Sequence, residues 1–180
     1  MRIVAGKYRH RLIEYPENNP NIRPTKDMVR EGVFSALGDI SGYKVLDLFA
    51  GSGSMGIEAL SREAKICYFV DHDNLSIKVV KNNLVKLGIN NARVMQLDYN
   101  EALDAFVNRK EVFDLIILDP PYASGYYIEI IKKIYEQNLI GEKGVVVVES
   151  DGSISYDDFA FITYRRYHYG KTYVDLLRRK

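Results

Sequence analysis

A chain of 180 residues, 47% of them hydrophobic, has the size and apolar content of one globular domain with a substantial core. Its longest apolar run, around residues 145–148, is only strand-sized, so neither a secretory leader nor a membrane-spanning helix is expected. The single cysteine, Cys67, excludes an internal disulfide and a cysteine zinc cluster and points to a reducing, cytoplasmic setting. The net charge of +1 is unevenly spread: residues 1–30 hold seven Lys/Arg against three acids, residues 161–180 six against one, and the stretch between twelve against twenty. Basic ends on an acidic body suit a polyanion gripped at the periphery, although solvated termini are often basic without a ligand.

Residues 1–23 carry Arg2, Lys7, Arg9, His10, Arg11 and Arg23 among Gly6, Pro16, Pro20 and three asparagines, and are expected to form a basic arm with a short hairpin outside the core. Residues 24–180 form the remainder of the domain. Arg23-Pro24-Thr25 ends extended chain and starts a helix: Thr25 can cap it, Asp27 favours its first turn, and Val29, Val33, Ala36 and Leu37 form its apolar stripe, with Arg30 pointing off that stripe. Residues 44–50 predict a strand, Gly51 and Gly53 a sharp turn, and residues 54–62 a helix. Strands at 65–71, 92–97, 112–118 and 144–149 then alternate with helices at 74–87, 99–108 and 124–138. Such alternation means right-handed βαβ units and a parallel sheet covered on both faces. Residues 159–166 and 173–177, with Tyr169-Gly170-Lys171-Thr172 between them, leave no room for a helix and predict an antiparallel hairpin on the sheet edge.

In open α/β sheets ligands lie at the carboxyl ends of the strands. Asp47, Asp71 with Asp73, Asp98 with Tyr99, and Asp119-Pro120-Pro121-Tyr122 all fall at such ends. Gly51, Gly53 and Gly56 spell G-x-G-x-x-G, and Asp71 follows the first glycine by twenty residues, as in a dinucleotide fingerprint. Asp47 argues against a dinucleotide, because a carboxylate at the mouth of the strand repels a pyrophosphate. The Asp47-x-Phe49-x-Gly51-x-Gly53 pattern suits a cationic ligand without phosphate, S-adenosylmethionine. Asp71 can then accept from ribose hydroxyls and Asp98 from an adenine amino group. Each acid alone could equally be a helix cap or a solvated loop residue. In Asp119-Pro120-Pro121-Tyr122 the prolines fix the backbone, so that the Asp side chain and carbonyls can accept from an exocyclic amine while Tyr122 stacks on a base. His10, His72 and His168 have no metal or triad spacing.

The segments Asp47-Leu-Phe-Ala-Gly-Ser-Gly53, Gly56-Ile-Glu-Ala-Leu-Ser-Arg62 and Asp119-Pro-Pro-Tyr122, together with Met1-Arg-Ile-Val-Ala-Gly-Lys-Tyr8, the stretch Arg23 to Glu31 and Tyr169-Gly-Lys-Thr172, closely resemble the RsmD-type 16S ribosomal RNA (guanine-N2) methyltransferases over nearly the whole chain. The resemblance implies a Rossmann-like class I methyltransferase fold, α/β, with a seven-stranded, mostly parallel sheet and a C-terminal antiparallel hairpin. It implies S-adenosyl-L-methionine as cofactor, a monomer as the acting unit, and 16S rRNA within the small ribosomal subunit or its late precursor as partner, with guanine 966 the family's site. By the same resemblance the cofactor residues are Asp47, Phe49, Gly51, Gly53, Asp71, His72, Asp98 and Tyr99, the catalytic motif is Asp119, Pro120, Pro121 and Tyr122, and Arg2, Lys7, Arg9, Arg23, Arg30 and Lys171 match basic RNA-binding elements. No metal is implied. Two departures stand out: Asp71 where such enzymes commonly have Glu, and Glu63 where a glycine is usual. A DNA adenine-N6 or cytosine-N4 methyltransferase, an NAD-dependent oxidoreductase and a non-catalytic RNA-binding assembly factor remain alternatives at this level.

Overall fold

The computed structural model describes residues 1–16, 27–121 and 125–180. In chain order these form α1 (Asp27–Leu37), β1 (Lys44–Asp47), α2 (Ser54–Ser61), β2 (Ile66–Asp71), α3 (Asn74–Leu87), β3 (Ala92–Gln96), α4 (Tyr99–Asn108), β4 (Phe113–Leu118), α5 (Tyr126–Glu136), β5 (Ile140–Ser150), β6 (Ile162–Tyr169) and β7 (Thr172–Arg179). The seven strands make one sheet in the order β3-β2-β1-β4-β5-β7-β6, parallel from β3 to β5 and antiparallel from β5 through β7 to β6. The order reverses between β1 and β4, which places a crevice at the carboxyl ends of those strands.

Alternation along each strand divides the core into two layers. Val45, Leu115, Ile117, Val145, Val147, Val174 and Leu176 pack beneath α1, α2 and α3, whereas Leu46, Ile116, Leu118, Val146, Val148 and Leu177 face α4 and α5. β1 is shorter than the apolar run 44–50 suggests. After Asp47 the chain leaves the ladder, although Leu48 N–H still donates to the Ile117 carbonyl and Ala50 N–H to that of Val70. β5 begins earlier than its valines indicate, at Ile140, and the β4–β5 register shifts between Phe113 and Leu115 to accommodate it. β6 lies three residues later than the expected 159–166, β7 runs further than expected at both ends, and the two meet in a two-residue turn at Gly170-Lys171, where Gly170 takes a left-handed φ of 63°.

The N-terminal segment departs most from expectation. A bridge between Arg2 and Leu12 closes a hairpin, but Ile3 and Ile13 are buried in the core, so the segment is a strap and not a peripheral arm. Its anchor is Glu58 on α2, a carboxylate with no exposure that accepts from the N–H groups of Val4 and Ala5 at 2.9 and 3.0 Å. Ser61, one turn on, accepts from Tyr8 N–H and donates to the Ala5 carbonyl. Arg30 is likewise fully buried rather than off the stripe: it lies 3.5 Å from Glu58, donates to Asp27 at 2.8 Å and to the Arg2 carbonyl, and so neutralises a buried acid. The second cation on Glu58 is Arg62, at 3.0 Å.

Glu63 follows α2, where a glycine would be usual, and it adopts a left-handed φ of 71°. The cost of that conformation for a residue with a Cβ is about 1 kcal/mol. Glu63 is exposed, and among the described residues its side chain accepts a single, long hydrogen bond, from the Ser41 hydroxyl at 3.5 Å. Glu63→Gly is therefore expected to raise the thermal midpoint by about 2–4 °C in a calorimetric melt; an unchanged or lower midpoint would show that the strain is compensated.

Candidate active site

The crevice is built around the turn between β1 and α2. Gly51 and Gly53 take positive φ angles of 54° and 78°, which glycine adopts without a steric penalty. Gly56 serves packing instead. A Cβ there would lie 2.3 Å from the Phe69 ring and 2.7 Å from Cys67 Sγ, so its bareness lets α2 press onto β2. Two carboxylates hold the turn. Asp47, buried at the end of β1, accepts from Gly56 N–H at 3.0 Å, and Asp71, at the end of β2, accepts from Gly51 N–H at 2.9 Å and Asp73 N–H at 2.9 Å. Burial pushes the Asp47 carboxyl up to about 7, with the Gly56 N–H opposing and the Asp71 charge adding to the shift. A third support comes from Asn83 on α3. This fully buried amide donates to the Ser52 carbonyl within the turn and exchanges two hydrogen bonds with the backbone of Glu14 in the strap.

The remaining expected cofactor residues fall on the same rim. His72 is largely exposed, its Nδ1 3.7 Å from Asp71 Oδ1. Asp98 caps α4: it accepts from Asn100 N–H at 2.9 Å while Glu101 accepts from Asp98 N–H, a capping box that leaves Asp98 exposed with further acceptor capacity. Phe49 and Tyr99 stand with ring centroids 5.6 Å apart, and Tyr126 at the start of α5 extends the row by another 5.6 Å. Tyr126 had no place in the sequence reading, because it lies four residues beyond the proline motif on what reads only as a helix. Asp119 and the buried Pro120 follow β4 and Pro121 is exposed, while Tyr122 lies outside the described residues, as does Arg23.

A further acid appears here that the sequence reading missed. Glu149, the last residue but one of β5, is 7% exposed and neighbours Asp119 because Leu118 pairs with Val148 in the parallel register. Its signal was an acid directly after the apolar run Val145–Val148, as Asp47 follows Leu46 and Asp119 follows Leu118. Burial raises Asp119 well above the carboxylate range, the charges of Glu149 and Asp47 adding to the effect, and pushes Glu149 up to about 7. The charges that perturb Asp47 and Asp119 are thus other carboxylates, an environment hostile to phosphate and suited to a cation.

The basic residues do not form one group. Lys171, in the β6–β7 turn, stands at the crevice end of the sheet, because Tyr173 pairs with Ser150 at the end of β5. Lys7 and Arg9 instead occupy the hairpin tip beside Ser61, at the opposite end of α2, about 12 Å away for a helix of eight residues. Arg2 is exposed and paired with Asp27 at 3.0 Å, and the buried Arg30 is closed to a phosphate.

The sheet order, the glycine turn and the acid-lined crevice define a class I methyltransferase dependent on S-adenosylmethionine. Within that class the chain belongs to the family described as Conserved hypothetical protein 95, whose model matches residues 1–178. Bacillus subtilis YlbH is 35% identical over 184 residues, covering all of both chains. The Escherichia coli ribosomal RNA small subunit methyltransferase D is 32% identical over 84% of this chain and 75% of its own. Among solved structures, Escherichia coli yhhF superposes with a TM-score of 0.84 at 30% identity, covering 100% and 98% of the two chains, and Thermus protein TTHA0928 with 0.85 at 26%, covering 99% of each. The residues fit S-adenosylmethionine: the cluster of carboxyl groups at Asp47, Asp119 and Glu149 favours a cation over an anion, Asp71 and Asp98 offer acceptors, and Phe49, Tyr99 and Tyr126 offer an aromatic row.

Asp47 makes stability depend on pH in a defined direction. Its folded pKa lies above the unfolded value of 3.8, so the folded state holds a proton that the unfolded state has lost between about pH 4 and 7, and stability falls as pH rises through that window. The loss attributable to this group is about 4 kcal/mol, three units at 1.36 kcal/mol each. Denaturant titrations at pH 5 and 8 are expected to show a markedly smaller difference in Asp47→Asn than in the parent; equal differences would mean that Asp47 titrates normally.

Proposed function

We propose that this methyltransferase acts on the exocyclic N2 amine of a guanine in small-subunit ribosomal RNA, guanine 966 of the 16S RNA, within the subunit or its late precursor in the cytoplasm. The observation that carries the reading is Asp119, a half-buried carboxylate fixed by Pro120 and Pro121 beside the cofactor crevice. Relatives named as small-subunit rRNA methyltransferases from Escherichia coli and Haemophilus influenzae, the latter 34% identical over 84% of this chain, support the choice of RNA.

When bound, S-adenosylmethionine supplies an electrophilic methyl group on a sulfonium. What the protein must do is present the nucleophile. A guanine amine is a poor one because its lone pair is delocalised into the ring. Asp119 and the Pro120 carbonyl, accepting from the amine hydrogens, restore electron density to nitrogen and aim it, and Tyr122 holds the base by stacking. The base must first leave its own stack to reach them. Orientation and preorganised acceptors then account for catalysis, with no covalent enzyme intermediate.

With small subunits from cells lacking the protein as substrate, Asp119→Ala is expected to lower the single-turnover rate by about 100-fold or more with cofactor affinity near normal. Asp119→Asn should be milder, since an amide oxygen still accepts. A wild-type rate in Asp119→Ala would remove the motif from the chemistry. Phosphate contact by Lys171 is tested separately: Lys171→Ala should reduce the salt slope of RNA binding by about 0.7–0.9. An unaltered slope would mean that this charge is merely solvated. Deleting the strap is not a comparable test of Lys7 and Arg9, because it would also strip Ile3 and Ile13 from the core.

A further inference from the structure

Asp47, Asp119 and Glu149 stand at the carboxyl ends of three adjacent strands, β1, β4 and β5. Strand alternation sets all three on one face of the sheet, because the residues two positions earlier, Val45, Ile117 and Val147, all belong to the layer under α1, α2 and α3. The register then arranges them: Asp47 pairs with Ile117, Ile117 with Val147, and Asp119 and Glu149 follow two residues beyond, directly after the pair Leu118 and Val148. Asp47 has a backbone donor in Gly56. The carboxylate of Glu149 receives no hydrogen bond from a Lys, Arg or His side chain among the described residues.

The groups packed around Glu149 do not neutralise it. Tyr127 on α5 donates its hydroxyl to the Glu149 backbone carbonyl at 3.0 Å. On β7 its partner is Val174, whereas Asp175, one residue on, projects to the opposite face of the sheet, where Arg166 Nε and Nη2 and the Tyr156 hydroxyl engage it. Asp71, at the end of β2, acts on Asp47 and adds more negative charge. Two adjacent carboxyl groups held largely out of water, with no compensating cation among the described residues, cannot both ionise readily, and their protons come off in two steps that belong to the pair.

We propose that Glu149 is a positioning residue for methyl transfer, holding one proton jointly with Asp119 so that Asp119 meets the target amine as a carboxylate while Glu149 carries the proton. The assignment rests on the reading of Asp119 as the amine's acceptor. The amine lone pair forms the N–C bond, the methyl–sulfur bond breaks with its electrons on sulfur, and the excess N–H proton passes to Asp119. The pair then holds two protons and returns one to water as the product leaves. A carboxylic acid beside Asp119 also supplies a donor to the carboxylate oxygen that the amine does not use.

The direct test is a 13C carboxyl NMR titration of the full chain, without RNA or cofactor, so that its failure is separate from failure of the proposed substrate. The expected result is that Asp119 and Glu149 each report the same two titration steps. In Glu149→Gln, Asp119 should titrate in a single step displaced downward from the upper wild-type step by about one pH unit or more. In parallel, single-turnover methylation at saturating cofactor should show two inflections with pH in the wild type and in Glu149→Asp, and one in Glu149→Gln. A purely structural Glu149 would instead lower the rate at every pH and leave both inflections in place. Independent one-step titrations of the two carboxyls in the wild type, or two inflections retained in Glu149→Gln, would overturn the proposal. If Glu149→Gln does not fold, the wild-type titration alone still decides.

Discussion

The turn after β1 is held from within by carboxylates, and most of the crevice follows from that. Asp47 accepts from Gly56 N–H inside the first turn of α2, and Asp71 accepts from Gly51 N–H where the turn begins. An N-terminal helix turn normally invites an anion from outside through its unpaired N–H groups. Here one of those groups is already satisfied by the protein's own acid, so the site is closed to a pyrophosphate and opened to a cation. The cost is visible in Asp47 itself, whose carboxyl is pushed up to about 7 by burial. Asp119 and Glu149, raised in the same way, extend the pattern across three strand ends.

The strap connects this turn to the rest of the molecule. Glu58, a carboxylate with no solvent exposure, gathers two strap N–H groups and two guanidinium groups, so that removing Glu58 itself would leave the buried Arg30 without that counter-charge and the strap N–H groups without their acceptor. Asn83 then links the strap backbone at Glu14 to the Ser52 carbonyl of the cofactor turn. The basic N-terminal segment is therefore part of the scaffold that shapes the crevice, and only its exposed side chains remain for a polyanion.

Much of this was readable from the chain, and the failures have physical causes. The βαβ rhythm, the glycine turn and the edge hairpin depend on local patterns, and the ranges 74–87 and 99–108 coincide with α3 and α4. Arg30 was misplaced because an arginine beside an apolar stripe looks solvated until the buried Glu58 that it neutralises is known, and that pairing spans 28 residues. Ile3 and Ile13 were hidden by the polar residues around them, since their burial depends on contacts with α2 and α3. Asp98 illustrates the reverse: its capping of α4 is a local signal that leaves its proposed ligand role resting on the resemblance. Glu149 was passed over because β5 reads as a core strand, and only the sheet register places its end against Asp119.

The central claim is that buried carboxylates make the crevice a cation site. Isothermal titration calorimetry in buffers of different ionisation enthalpy counts the protons exchanged on binding. At pH 6.5, where the raised carboxyls are partly protonated, binding of S-adenosylmethionine should release protons, and more of them than binding of S-adenosylhomocysteine, which lacks the sulfonium charge. Equal proton exchange for the two ligands, or none for either, would contradict the account.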